Sequence, residues 1–248
     1  MSDHALPVVH ADDTLAVVAK PAGLMAHASP MAREEDDFLI DRLRVQFGRD
    51  VVLVHRLDRA TSGCVLVAFD RDTAAALGAQ FMDRSVDKTY LAICRGWPDA
   101  EGVIDHPLDG GPGKPLKKPA VTAFRRLATG ELPEPSGGFA TSRYALLECA
   151  PETGRWRQIR RHLKHVFHHL IGDTSHGDGH HNRIFRRRGV QRMLLHAHTL
   201  AFTHPCDGAR VVATAPLDAP FERALALFDW LPGAASTMLQ NSVASSRP

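Results

Sequence analysis

Cysteine is scarce in this sequence: Cys64, Cys94, Cys149 and Cys206 are the four in 248 residues, and no Cys-x-x-Cys pair occurs. That spacing argues against a disulfide frame or a thiolate zinc site and suits free thiols in a reducing cytoplasm. No run of eighteen apolar residues is present, and no basic start leads into an apolar stretch. Neither a membrane helix nor export is therefore expected. Aromatic residues make up 6%, with only two tyrosines, Tyr90 and Tyr144. A large excess of one charge is missing too, since 30 Lys and Arg against 28 Asp and Glu leave a net +2. Apolar residues reach 44%, enough for an ordinary core in one large domain or two lobes.

The near-zero net charge conceals an uneven distribution. Between Arg155 and Arg192 stand ten Lys and Arg against Asp173 and Asp178, a local excess of eight. Ten of the fifteen histidines fall between His162 and His204. A charge run is most often a solvated helix face. Two basic runs close together on a nearly neutral chain favour a polyanion partner. His176, His180 and His181 invite a metal reading, but no acidic or thiolate partner stands at a zinc-like interval, and histidines in a basic loop suit phosphate equally well.

Strands are expected at Val8–His10 and Leu15–Val18, joined by a turn at Ala11–Asp13. A helix is expected over Phe38–Phe47, with Glu34–Asp37 placing acids at its positive end. Val51–Val54 and Cys64–Ala68 are valine-rich and of strand length, and a helix capped by Asp70 or Asp72 should run through Met82. Further strands are read at Lys88–Cys94, Val103–Asp105, Ala120–Leu127, Ser142–Ala150, Arg192 to near His198, and Arg210–Ala213. Gly130–Gly138 reads as a loop, the stretch after Gly154 as a helix with Ile159, Leu163 and Val166 on one side, and Pro220–Phe228 as a helix. Many strands with few helices and no regular βαβ alternation give an α+β fold. One domain over 1–231 is expected, with a flexible tail at 232–248.

The densest chemistry lies at Val54–Gly63, VHRLDRATSG, which sets Asp58 between Arg56 and Arg59 at a strand-to-strand turn. Neighbouring arginines would favour an ionised carboxylate. Taken alone, a solvated loop with surface ion pairs carries about equal weight. The stretch HRLDRATSG resembles the HRLDxxTSG signature of the RluA family of pseudouridine synthases. Lys20–Leu24 is similar to the family's KPxGL segment, in which Lys20 suits either a structural or a phosphate-contact role. Lys88-Thr89-Tyr90 resembles its KxY segment. Thr153–Leu163 resembles TGRxHQIRxHL, with Arg157 where the family has histidine. His168–Gly177 resembles HPIxGDxxYG, with His169 for proline and His176 for tyrosine. Arg192–Ala197 resembles RLxLHA. The stretch Ser175–Arg183 is closest to a compact branch that acts on tRNA.

The resemblance implies a mixed, mostly antiparallel sheet with flanking helices and a central RNA-binding cleft. It implies an enzyme that isomerises uridine in structured RNA to pseudouridine. Asp58 would be the nucleophile, attacking the sugar or assisting a glycal intermediate. Tyr90 would stack on the base, Arg160 would pair with the carboxylate, Arg56 would fill the gap left by a flipped uridine, and Leu195 would face the base. His55, Arg59, Arg155, Gln158, Arg161, Lys164, Arg183, Arg186, Arg187 and Arg188 are the expected RNA contacts. The reaction is an isomerisation without redox or group transfer, so no cofactor and no metal is required. The chain leaves no room for the small RNA-binding domain that most relatives carry, so the catalytic domain itself is expected to bind RNA, as a cytoplasmic monomer. The branch points to a tRNA uridine at about position 65, in the acceptor/T-stem region, where the base must leave a duplex. Ribosomal RNA is the alternative target. A non-catalytic RNA-binding module is the alternative function, weakened by intact Asp58, Tyr90 and Arg160. A glycosidic hydrolase using Asp58 is weaker still, because such enzymes need a second carboxylate; release of free uracil would distinguish it.

Asp58→Asn should abolish pseudouridine formation and leave folding and RNA binding intact. Tritium release from RNA labelled at uracil C5 measures it; near-normal release by the variant would remove Asp58 from the nucleophile role.

Overall fold

The computed structural model describes residues 5–27 and 37–230. The expected tail at 232–248 and the acids Glu34–Asp36 lie outside the described residues. In chain order the elements are β1 (Val8–Ala11), β2 (Leu15–Lys20), α1 (Leu39–Phe47), β3 (Val52–Leu53), β4 (Ser62–Ala68), α2 (Arg71–Met82), β5 (Asp87–Arg95), β6 (Glu101–Asp105), β7 (Val121–Leu132), β8 (Ser142–Pro151), α3 (Gln158–His165), α4 (Gly179–Arg187), β9 (Leu195–Thr203), β10 (Arg210–Thr214) and α5 (Ala219–Ala226). The class is α+β, as expected. Among the described residues no helix is long and apolar enough to cross a membrane.

The chain forms two compact units, each discontinuous in sequence. Of the described residues, the first holds those up to Tyr90 and Leu195–Pro216; the second holds Leu91–Leu194 and Leu217–Trp230. In the first unit the strand order is β1-β2-β4-β9, with β10 beside β9 and β3 beside β4. Every residue of β2 and β4 is buried. Alternate side chains serve opposite faces. Leu15, Val17, Cys64 and Leu66 enter one core, while Ala16, Val18, Val65 and Val67 enter another with Leu39 and Leu43 of α1. Covering both faces explains why these strands read as continuous apolar runs rather than alternating ones.

The β4–β9 pairing is parallel, opposing Ser62 to His196 and Gly63 to Ala197. By contrast β1–β2, β2–β4, β3–β4 and β9–β10 in the same unit pair antiparallel. Gly63 has φ +113°, and a Cβ there would lie 2.1 Å from the Ala197 carbonyl oxygen. Glycine is required for both the backbone conformation and the close approach. Ser62 Oγ and His196 Nδ1 meet at 2.8 Å beside that crossing, both buried.

In the second unit, which β5 enters at Leu91, the order is β5-β8-β7-β6. Leu91, Ile93, Tyr144 and Leu146 from its strands pack with Ile184 and Phe185 of α4 and Phe221 and Leu225 of α5. Asp70 caps α2 by accepting the Thr73 N–H at 2.7 Å, and Asp218 caps α5 through Phe221 N–H at 3.0 Å. Two strand boundaries and one helix depart most from the sequence expectation, where other element ends shift by one to three residues. β7 runs on to Leu132, into the stretch read as loop. β9 starts at Leu195 and continues to Thr203, so Arg192–Leu194 precede it. The helix α4 was not expected, because Gly179, His180 and His181 are weak helix formers. Asp178 starts it by accepting the His180 N–H at 2.9 Å, and Ile184 and Phe185 bury its face.

Candidate active site

The Asp58 turn is built from its backbone outward. Thr61 N–H donates to the Asp58 carbonyl at 3.0 Å, which closes the turn before β4. Two residues then tie it to the loop after β2. Gly23 N–H donates to the Arg59 carbonyl at 2.8 Å, and Arg59 Nε returns a bond to the Gly23 carbonyl at 2.9 Å. Lys20 is 1% exposed, and its ammonium donates to the carbonyls of Pro21, Leu24 and Arg59 at 2.8, 2.9 and 3.2 Å. A buried ammonium needs such acceptors. Of the two roles open to Lys20 from sequence, the structure supports the structural one.

Asp58 is half-buried, and Tyr90 is half-buried against the core that also contains Leu57. The Tyr90 phenol is pushed well above its ordinary value of 10.0, first by burial and then by the nearby charge of Asp58. The fold therefore brings Asp58 and Tyr90 within electrostatic reach, with a neutral phenol beside the carboxylate. Arg56 is exposed on the same turn. His55 is engaged within the protein: its Nε2 accepts the Leu66 N–H at 3.0 Å, and its ring stacks on Phe81 at 4.8 Å. Burial, then the charge of Lys88, lowers its pKa to about 4. Its lone pair is committed to the backbone of β4, so the RNA-contact role expected for His55 gives way to a structural one.

In the second unit Arg160 is the charged centre. Its Nε and Nη2 fork onto Asp173 Oδ2 and Oδ1 at 2.7 and 2.9 Å, with both side chains buried. Ser175 and His176 N–H groups add bonds to Asp173 Oδ1 at 2.8 and 2.9 Å. Asn182 bridges the Gly172 N–H and the Asp173 carbonyl. Burial alone would raise the Asp173 carboxyl; the Arg160 fork and these N–H bonds prevail and hold it below its ordinary 3.8. Sequence reasoning singled out Arg160 but missed Asp173 and Asn182, which hold it. The signal was available in the GD and SHGDxxxNR stretches, where a carboxylate follows a glycine and a helix cap follows both.

Gln158 is another correction. It is 5% exposed, and its carbonyl oxygen accepts from Thr153 Oγ1 and Arg155 N–H while its amide donates to the Val121 carbonyl and Thr122 Oγ1. Its bonding capacity is used inside the protein, so the expected RNA contact is withdrawn. His162, fully buried, lies 2.9 Å from Thr122 Oγ1 through Nδ1 and 3.0 Å from the His106 carbonyl through Nε2. A carbonyl only accepts, so Nε2 carries the proton. The left-handed residue of this turn is Arg157 at φ 52°, rather than the glycine at 154.

The basic run is partly balanced. Arg187 and Arg188 both reach Glu134, Arg161 reaches Asp109, and Arg192 reaches Asp218. Lys164, Arg183 and Arg186 are exposed, and Arg155 is half-buried with Nε on the Pro119 carbonyl. His180 bonds the Pro135 carbonyl and His181 the Tyr144 hydroxyl, so these rings serve loop and core contacts. Leu195 is 4% exposed at the start of β9.

A family model described as RNA pseudouridylate synthase matches residues 14–165, more than half of the chain. The chain belongs to that family and is an RNA pseudouridine synthase, an isomerase acting on uridine in RNA. A Vibrio cholerae protein named tRNA pseudouridine synthase C is 42% identical over 235 residues, covering 91% of this chain and 96% of its own. One of the same name from Pasteurella multocida is 41% identical, covering 91% and 97%. Among solved structures, human RNA Pseudouridylate Synthase Domain Containing 1 superposes with a TM-score of 0.74 at 25% identity, covering 100% of this chain and 98% of that one.

Asp173→Asn leaves the buried Arg160 charge without its carboxylate and should cost about 3 kcal/mol at neutral pH. Because the folded Asp173 carboxyl titrates below 3.8, its stabilisation is present above that value and is lost as pH falls through the folded one. The gap between wild type and variant in urea unfolding should therefore be flat near neutrality and shrink in acid. A gap independent of pH down to acid unfolding would contradict the ion-pair account.

Proposed function

We propose that this enzyme isomerises a uridine of tRNA in the acceptor/T-stem region, at about position 65, by drawing it out of the duplex. The observation that carries the reading is the extent of likeness to relatives named for tRNA: 42% identity across 91% of the chain. Three buried thiols, Cys64, Cys94 and Cys149, support work in the cytoplasm.

The reaction breaks the bond from ribose C1′ to uracil N1, turns the base and joins C1′ to C5; the C5 proton leaves and N1 gains one. Asp58 supplies the negative charge at the sugar, as nucleophile. The neutral Tyr90 phenol beside it offers an aromatic face and a proton for the freed base. Arg160 is the further catalytic residue that the motif implies, and Asp173 sets its guanidinium geometry before RNA arrives. Arg56, exposed on the same turn, enters the space left by the extruded uridine. Leu195 lines the base pocket. Arg59, Arg155, Arg161, Lys164, Arg183, Arg186, Arg187 and Arg188 meet phosphates, with Glu134 and Asp109 lowering the share borne by Arg187, Arg188 and Arg161.

Mapping pseudouridines in total RNA from cells with and without the gene tests the target. Loss of one acceptor/T-stem pseudouridine in tRNA, restored by the intact gene and not by the Asp58→Asn form, is expected. Loss confined to ribosomal RNA would move the assignment to the alternative substrate.

A further inference from the structure

A cleft of about 560 Å³ opens in the second unit between the 109–115 loop and the start of α3, with Asp109, Gly111, Lys114, Trp156, Arg161 and His176 on its walls. The site residues Asp58, Tyr90 and Arg160 are not among its lining residues. The loop is held in shape by its own bonds. Asp109 Oδ1 accepts the Gly111 N–H at 2.9 Å, and Gly110 and Lys114 N–H groups close the tip onto Lys114 and Gly111 carbonyls at 3.0 Å each. Arg161 grips the loop from α3, through Asp109 Oδ2 at 2.8 Å and the Asp109 carbonyl at 3.0 Å. Gly111, at φ +93°, lies flat on the indole of Trp156: a Cβ there would come within 2.7 Å of the ring. The cleft is thus preformed and depends on glycine at this point.

Its chemistry is specific. The Trp156 ring carries the guanidinium of Arg157 at 4.5 Å and that of Arg161 at 5.6 Å. Lys114, Lys117 and Lys118 stand exposed along the loop, while the one acid in the wall, Asp109, is engaged by Arg161. His176 meets the indole edge at 6.3 Å, and its Nε2 is buried without a hydrogen-bond partner among the described residues. A half-buried indole, its guanidiniums and a row of lysines match a ligand that combines a flat ring with phosphate charge. An acidic peptide would leave the ring unused, and a neutral sugar would leave the cations unused.

We infer that this cleft is a second RNA-contact site, in which an unpaired nucleotide of the substrate lies against the Trp156–Arg157 platform while its phosphate, and those next to it, meet Lys114, Lys117 and Lys118. The inference rests on the reading that tRNA is the substrate, and it assigns Trp156, Arg157 and the 109–118 loop to affinity and placement rather than to the isomerisation step.

The full-length enzyme is titrated with substrate tRNA while tryptophan fluorescence, RNA affinity and pseudouridine formation are followed in the same samples. RNA should quench a part of the emission that Trp156→Phe lacks. Lys114→Glu, a change on an exposed side chain, should raise Kd about tenfold and flatten its salt dependence, with the single-turnover rate at saturating RNA unchanged. If Trp156→Phe fails to fold, the Lys114→Glu arm decides alone. RNA bound and isomerised normally, with no Trp156 quench and an unchanged Kd for Lys114→Glu, overturns the inference and leaves the functional reading standing. Uridine monophosphate quenching Trp156 at the same concentrations as tRNA would make this a free-nucleotide site and also overturn it. Failure of the wild type to bind or isomerise tRNA overturns the functional reading, and the inference with it.

Discussion

The Lys20 ammonium is the constraint on which the Asp58 turn depends. It lies at the end of a wholly buried strand, where an ion without partners would cost several kcal/mol. Three carbonyls surround it, and one belongs to Arg59, the residue after Asp58. The reciprocal pair between Gly23 and Arg59 adds two more ties between the same segments. The turn is long enough to wander, yet its backbone is fixed from below by β2 and at its exit by Gly63 against Ala197. The backbone carbonyls of Asp58 and Arg59 are both engaged, while Arg56 faces solvent. A rigid base under an accessible carboxylate is what a reaction on a large folded substrate requires.

The second unit uses the same strategy with opposite charge. Arg160 is an arginine on a short basic helix, a setting in which a mobile, solvated side chain is the ordinary outcome. Here Asp173 holds one guanidinium edge through both of its oxygens, and Ser175, His176 and Asn182 fix Asp173 and its backbone. Many of the polar residues that crowd the 153–183 stretch thus serve to hold one another in place. Gln158 and His162, tied to Thr122 of β7, belong to the holding group.

Sequence patterns reached the chemistry more readily than its supports. Asp58, Tyr90 and Arg160 were singled out because motif spacing carries them whatever their surroundings. The strands at Leu15 and Cys64 were legible because short valine-rich runs bounded by turns have few other outcomes. Gln158 was misread because its partners, Val121 and Thr122, lie 37 and 36 residues away and are brought near only by the β7 pairing. His55 was misread for the same reason: nothing local announces a bond to Leu66. The helix α4 escaped because its tertiary contacts through Ile184 and Phe185 outweigh a glycine-histidine start with poor propensity. In each case a contact between distant segments decided the role of a polar or helix-breaking residue.

The role that follows for Lys20 is to position the Asp58 turn rather than to touch RNA. Its most direct test is the single-turnover isomerisation rate of Lys20→Met on tRNA, measured beside RNA affinity on protein that unfolds cooperatively. The rate should fall about a hundredfold, as expected when a reacting group is displaced by about an ångström, with affinity unchanged. A folded Lys20→Met enzyme with the wild-type rate, or one whose defect lies in RNA affinity alone, would contradict the account.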